Sequence, residues 1–401
     1  MTVAEDPMRP RTRPRDRKRH IEQAAALAFA RQGYHAVSMQ DIAAAVGISA
    51  PALYRHFPNK YALFVRTAMT LAHRLTEATD EAASAALESA ADAKAMLDEL
   101  LDAVIATTVE LRATGGIYRW EGRYLDRPDR AALTAEFLLL RARFEAAHRC
   151  YRPEVGDEDR RVLVLAALSV VASITAHHTV VAARTLRGLL TTAAWRALDG
   201  DLSVEGPSWE PAPPAVHAAE GRRERLIDSA VRQFAARGYN EVTIEDLAVE
   251  VDLTPSGVYR HFDGKPALLL AACDRAAVEL ERSVLQARES ASIPLEALQR
   301  LCRVYVAHSF AHRSLMRVYF SELGNLAPEQ QRRLRALQRA HVADWVALLQ
   351  AVRPELGGRE AAVLVHAGLG VVADHVPLAA SSDVLAQRRL TRLVEIVLGV
   401  A

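Results

Sequence analysis

Two short windows of this 401-residue chain concentrate hydrogen-bonding and aromatic side chains: Tyr54-Arg55-His56-Phe57-x-x-Lys60 and Tyr259-Arg260-His261-Phe262-x-x-Lys265. Each follows a small-residue run, Ser49-Ala50-Pro51-Ala52 in the first case and Thr254-Pro255-Ser256-Gly257 in the second. Groups of this kind suit recognition rather than bond making. No metal constellation, phosphate loop or nucleophile signature accompanies them, so no enzyme and no cofactor is expected.

The elements that must hold these residues can be read from the flanking sequence. Val37 to Lys60 (VSMQDIAAAVGISAPALYRHFPNK) recurs about 205 residues later as Val242 to Lys265 (VTIEDLAVEVDLTPSGVYRHFDGK), a long internal repeat. In each copy Ser38 or Thr243 stands at an N-cap with Asp41 or Asp246 three residues on, followed by a helix-period apolar set. Gly47 can take the positive φ that ends this first helix. Ser49 then caps a second, whose first turn tolerates Pro51 because the missing N–H has no helical partner. The pattern is helix-turn-helix, which offers the start of its second helix to base edges while other side chains hold phosphates. With Ser49, Ala50, Pro51 and Ala52 in that first turn, hydrogen-bond readout is sparse and methyl contacts to thymine are expected. Leu53 and Phe57 face the core.

With Phe29-x-x-x-Gly33-Tyr34 and Phe234-x-x-x-Gly238-Tyr239 upstream, both copies resemble the TetR family of bacterial transcriptional regulators. The resemblance implies an all-α fold made of two tandem units. Each unit has an N-terminal three-helix DNA-binding domain and a helical regulatory domain. It implies phosphate contacts from Tyr54, His56 and Lys60, assisted by Ser38 and Ser49, and from Tyr259, His261 and Lys265. Arg55, Arg260 and Thr243 complete the expected double-stranded DNA surface. The boundaries read as a basic arm over 1–14, reader 1 over 15–75, a helical domain over 76–205, a Pro-rich linker over 206–219, reader 2 over 220–280 and a second helical domain over 281–401. Two departures weaken the second copy: Asp252 replaces the turn glycine, and Gly257 lowers helix propensity by nearly ~1 kcal/mol.

The net charge of +1 hides an asymmetry. Residues 1–60 carry ten Lys/Arg against five Asp/Glu, whereas 220–265 carry seven against nine. Phosphate contact dominates affinity, so the first reader is expected to be the stronger anchor. Arg9, Arg11, Arg13 and Arg15 form an arm that either enters the minor groove or merely solubilises the chain. No apolar leader core precedes it, and a cytoplasmic, nucleoid-associated protein is expected. Cys150, Cys273 and Cys302 have no CxxC spacing, so neither disulfides nor zinc are expected of them. Val162 to Ala183 lacks any Asp, Glu, Lys or Arg, yet its Ser, Thr and His content reads as a helix buried between protein layers rather than a membrane span.

In the helical domains, Arg119-Trp120-Glu121-Gly122-Arg123-Tyr124 either lines a ligand cavity through Trp120, Glu121 and Tyr124 or closes a helix end with an ion pair. Tyr319 and Glu322 are its counterparts in the second copy. His308 and His312 are four apart, but with no third ligand in view they read as ordinary helix residues. Arg152-Pro153-Glu154 recurs as Arg353-Pro354-Glu355, so the duplication extends through both helical domains. Family members act as homodimers; here Val162–Leu190 and Ala361–Leu398 are expected to pack as a four-helix interface within one chain, with a further homodimer as the other possibility. The family also implies a small effector. The tandem layout is similar to that of members repressing actinobacterial mammalian-cell-entry lipid-transport operons, which points to a hydrophobic, lipid-like ligand. The rival reading is a ligand-independent module in which only the first reader works.

Overall fold

The computed structural model describes residues 14–203, 221–289, 291–379 and 383–401, and among these every regular element is helical. The basic arm, all but its last residue, and the Pro-rich linker lie outside the described residues. The chain divides into two compact units, Met1–Arg74 with Leu111–Glu136, and Leu75–Glu110 with Phe137–Ala401. The segment over 76–205 thus contributes to both units. Leu111–Glu136 goes with the first reader because it is fastened there: Tyr61 donates to Asp129 (2.8 Å) and accepts from the Asp126 amide (2.7 Å), while Tyr124 meets His35 edge-on.

In the first unit, α1 (Pro14–Gln32) buries Ile21, Ala25 and Phe29 along one stripe, and Gly33 at φ +81° ends it. Next comes α2 (Met39–Val46), which starts at a capping box. The Ser38 hydroxyl accepts from the Asp41 amide at 3.2 Å and the Asp41 carboxylate accepts from the Ser38 amide at 2.9 Å. The one-turn α3 (Ala50–Tyr54) seals Leu53 and the following Phe57 inside. From this unit α4 (Lys60–Ala83) runs into the second, where α5 (Ala90–Glu110) follows. The short α6 (Ile117–Glu121) lies against α1, and α7 (Arg127–Tyr151) leads out again.

In the second unit, α8 (Asp157–Ala172) packs on α9 (Ala183–Leu198). Reader 2 comprises α10 (Arg222–Arg237), α11 (Ile244–Glu250), α12 (Pro255–Tyr259) and the start of α13 (Lys265–Glu289). It is built into a larger core with α14 (Pro294–Ala311), α15 (Arg313–Ser321) and α16 (Pro328–Val352): α15 packs on α10 and α13, and α14 packs on α13 and α16. Trp345, Tyr319 and Phe234 are its largest sealed side chains. Truncating one of these to alanine costs about 3–5 kcal/mol. Burial pushes the His308 and His341 imidazoles down to about 4, so both are neutral at pH 7.

The last two helices, α17 (Gly358–His375) and α18 (Val384–Leu398), pack against α8 and α9. Several contacts fix the seam. His375 Nε2 lies 3.1 Å from the Val162 carbonyl, His177 and His366 stack at 4.0 Å, and Arg389 pairs with Asp159 at 3.3 Å. At Gly370 an added Cβ would stand 3.2 Å from the Ser173 Cβ, so glycine lets α17 approach closely. The repeated Arg-Pro-Glu motif also acquires a physical role. Arg152 pairs with Glu154 and donates to the Leu198 carbonyl (3.3 Å); Arg353 pairs with Glu355 and donates to the Leu398 carbonyl (2.9 Å). Each guanidinium thereby satisfies a carbonyl at the C-terminal end of its half's last helix.

The Val162–Ala183 stretch is corrected here. It is not one helix, since α8 stops at Ala172 and a single 3-10 turn, Ser173–Thr175, follows. The Ser173 and Thr175 hydroxyls donate to the Val170 and Ala172 carbonyls, local bonds that compete with helix continuation. Among the described residues one helical stretch, Gly358–Leu378, is long and apolar enough to cross a membrane, and more than half of its apolar window is buried within the fold.

Candidate nucleic-acid interface

Both recognition helices start from a hydroxyl cap. The Ser49 Oγ accepts from the Ala52 amide at 3.4 Å and the Thr254 Oγ1 from the Gly257 amide at 3.2 Å. With Leu53 or Val258 buried beneath, the opposite face of the turn is outward. Ser49, Pro51, Thr254 and Ser256 are exposed, and Ala50, Ala52, Pro255 and Gly257 are half-buried. Tyr54 and Tyr259 are 50% and 55% exposed, unusual for a large aromatic ring. Arg55, Arg260 and His261 are exposed and His56 is half-buried. The structure thus brings each expected set to one end of a short helix. The Ser38 and Thr243 hydroxyls are exposed too, but already act as caps for α2 and α11.

Lys60 and Lys265 are placed otherwise than expected. Lys60 Nζ donates to the carbonyls of Tyr34 and Val37, both at 3.0 Å, and lies 4.4 Å from the Tyr34 ring centre. Lys265 Nζ repeats this with Tyr239 (2.8 Å), Val242 (2.7 Å) and the Tyr239 ring (4.5 Å). Burial lowers both ammonium pKa values. A lysine in the first turn of a helix opposes the helix dipole, and the two carbonyls explain why it is there. The ammonium latches the loop after the support helix to the start of α4 or α13, turned inward rather than reaching out for phosphate. Sequence reading missed this because the acceptors are main-chain atoms 23 and 26 residues away.

The two turns are alike despite different residues. Gly47 has φ +69°, and Asp252 takes φ +56°, the only described non-glycine residue with positive φ. Ile48 N bonds to the Ala43 carbonyl at 3.0 Å and Leu253 N to Ala248 at 2.9 Å, so the bend survives the loss of glycine. Aspartate tolerates the left-handed region better than most residues, at a cost of about 1 kcal/mol.

Electrostatically the readers differ. In reader 2, Glu250 accepts from Arg232 (2.9 Å), Gln233 (2.7 Å) and Ser229 (2.9 Å), Arg237 pairs with Asp246 (3.1 Å), and Arg275 pairs with Asp228 (2.8 Å). These pairs tie up several of its arginines. In reader 1, Arg66 pairs with Glu22 at 3.1 Å.

The residues expected to line effector cavities lie at joints between reader and helical segments. Tyr124 contacts His35 (4.4 Å) and Tyr34 (5.8 Å). Tyr319 is 1% exposed and Glu322 has no exposure; they sit on and just after α15, which packs on α10 and α13. The Glu322 carboxylate accepts from Asn325 at 2.8 Å. Burial, then the charge of Glu322, raise the pKa of Tyr239 in the reader, so this acid is felt there. The side chains of Trp120 and Glu121 lie outside the described residues.

Comparison with known proteins agrees with this geometry. The profile described as "Bacterial regulatory proteins, tetR family" matches residues 21–67 and again 226–272, and "Tetracyclin repressor-like, C-terminal domain" matches 291–373. The HTH-type transcriptional regulator BetI of Brucella canis is 31% identical over 103 residues, 25% of this chain and 52% of that protein. BetI of Brucella anthropi is 28% identical over 155 residues, 38% of this chain and 78% of that protein. The chain spans about half the length of most of the curated relatives it matches. A TetR-family regulator from Bordetella parapertussis overlaps with a TM-score of 0.42 at 23% identity, covering 44% of this chain and 94% of that one. With the N-terminal domain of the tetR family of bacterial regulatory proteins matched twice, each time around a capped, outward-facing recognition helix, the chain has a tandem, all-α TetR-like architecture.

Proposed function

We propose that the chain is a DNA-binding transcriptional repressor whose two halves act as an intramolecular pseudo-dimer on an asymmetric operator. The observation that carries this reading is the pair of recognition helices with Tyr54 and Tyr259 held half-exposed beside outward-facing caps. Base-edge contacts come from Ser49, Ala50, Pro51 and Ala52 in one half and Thr254, Pro255, Ser256 and Gly257 in the other. Phosphate contacts come from Tyr54, Arg55 and His56 and from Tyr259, Arg260 and His261. The seam of α8 and α9 with α17 and α18 supports the pseudo-dimer, since tethering keeps the partner at an effective concentration of about a millimolar.

Release by a small hydrophobic effector is the regulatory part of the proposal, and it rests on the family resemblance and the tandem layout. Tyr124, Tyr319 and Glu322 stand where a ligand-driven shift of the helical body would reach a reader, because they already touch one or act on its charge. The test is footprinting on the DNA upstream of the chain's own gene, with sedimentation of the same complex. The expected result is one chain protecting a non-palindromic site, lost in the Tyr54→Ala, Tyr259→Ala double variant. Two chains per site would sink the pseudo-dimer, and no binding at low salt would sink the reading altogether. Ion pairing within reader 2 favours a second reading, in which only the first reader grips DNA; the Tyr259→Ala variant would then bind like the parent.

A further inference from the structure

The sequence offered two histidines four residues apart and no third ligand; the fold supplies one. His308 lies near the end of α14, and His312 occupies the break between α14 and α15, where its non-helical backbone (φ −122°, ψ 40°) interrupts the helix. Their rings stand 4.7 Å apart. Glu279, about thirty residues upstream on α13, is 5% exposed and its carboxylate oxygen lies 3.5 Å from His308 Nε2. One ligand atom from each of the three residues lies within 4.8 Å of the other two.

Two observations beyond proximity point to an ion. First, His308 is 8% exposed, yet its Nε2 makes no hydrogen bond; it faces a carboxylate outside hydrogen-bond geometry. A buried polar atom left this way costs roughly 1–3 kcal/mol and calls for an explanation. Second, one spacing already matches a metal. Ligand bonds of about 2.0–2.2 Å in a tetrahedral set put neighbouring donor atoms about 3.3–3.6 Å apart. The 3.5 Å between Glu279 and His308 falls in that range, and the set as a whole, spanning up to 4.8 Å, would draw together around the ion. Nearby on α16, His341 Nε2 accepts from Trp345 Nε1 at 3.1 Å, which fixes that ring beside the cluster.

We propose that Glu279, His308 and His312 form a binding site for a divalent transition-metal ion of the zinc class. Two imidazoles and one carboxylate are a borderline-soft set that selects such ions over magnesium or calcium. Three protein ligands leave a coordination position open for water or an exogenous ligand. An ion here would tie α13, whose first residue is the Lys265 latch of reader 2, to the junction of α14 and α15. The site goes beyond the proposed function and does not depend on it.

The experiment is a titration of the full-length, chelator-stripped chain with Co2+ alone, read by visible absorption, followed by displacement with Zn2+ and by circular dichroism for fold. The expected result is one Co2+ per chain with the intense bands of four- or five-coordination, displaced by zinc. His312→Ala and Glu279→Gln should each weaken Co2+ binding at least about tenfold, the least that losing even a supporting partner usually costs. His366→Ala, in the stacked pair elsewhere, should leave it unchanged. No Co2+ uptake, the weak bands of six-coordinate cobalt, or uptake indifferent to both ligand variants would overturn the site. Since no DNA is present, that failure is separate from any failure of the regulatory reading.

Discussion

The first and second readers share caps, latch and recognition-helix geometry, but they are mounted differently. Reader 1 forms a compact unit with Leu111–Glu136 alone, whereas reader 2 belongs to the same unit as α14 to α18. Reader 1 is the more basic of the two, whereas reader 2 spends arginines on its own carboxylates. The comparison teaches that a duplicated domain can keep its local geometry while its surroundings and charge are rebuilt.

The sharpest way to break this comparison is through the latches. Replacing Lys60 or Lys265 by methionine leaves two loop carbonyls without their charged donor, a loss of about 2–3 kcal/mol. Calorimetry should show Lys60→Met lowering one transition of a multi-step unfolding, and Lys265→Met lowering the transition that contains most of the chain. Equal effects on a single transition would mean that the readers are not mounted differently.

Next is acid sensitivity. Burial holds His341 near 4 against 6.5 unfolded, so the unfolded state takes up the proton first. Its stabilising share is intact above pH 6.5 and is lost as pH falls towards 4, about 2 kcal/mol at pH 5. His148, His308 and His375, all lowered first by burial, act in the same direction. Glu395, raised to about 7 by burial, opposes them, since its penalty grows as pH rises from 4.5 to 7. Denaturant midpoints should therefore drop between pH 7 and 5, and His341→Gln should flatten that slope.

Smaller still is the difference between the exposed tyrosines. Tyr54→Ala should weaken operator binding about tenfold, and Tyr259→Ala by less, in gel shifts at matched low salt. The smallest contrast concerns the turns. Asp252→Gly should stabilise by about 1 kcal/mol, and Gly47→Ala should destabilise by a similar amount, because only the backbone angle differs where an added Cβ meets nothing within 4 Å.

Much of the fold was legible because its signals are local. Capping pairs such as Ser38 with Asp41, the left-handed turn at Gly47 and the repeat itself all reside within a few residues. The exposed recognition tyrosines were legible through the family resemblance, and the buried Leu53 and Phe57 through helix period. What stayed hidden depends on residues far apart in the chain. Lys60 looked like a surface cation until the Tyr34 and Val37 carbonyls came beside it, and the histidine pair looked unremarkable until α13 brought up Glu279. Val162–Ala183 misled for another reason: its composition is apolar enough for one helix, but its hydroxyls stop it.

The seam of α8 and α9 against α17 and α18 has a genetic consequence. In a symmetric homodimer any codon change lands on both sides of the contact, so a harmful one is felt in duplicate and a compensating one must suit itself. Here the facing residues belong to different codons of one gene. His177 can change without His366, and one half can hold an acidic set such as that around Glu250 while the other remains basic.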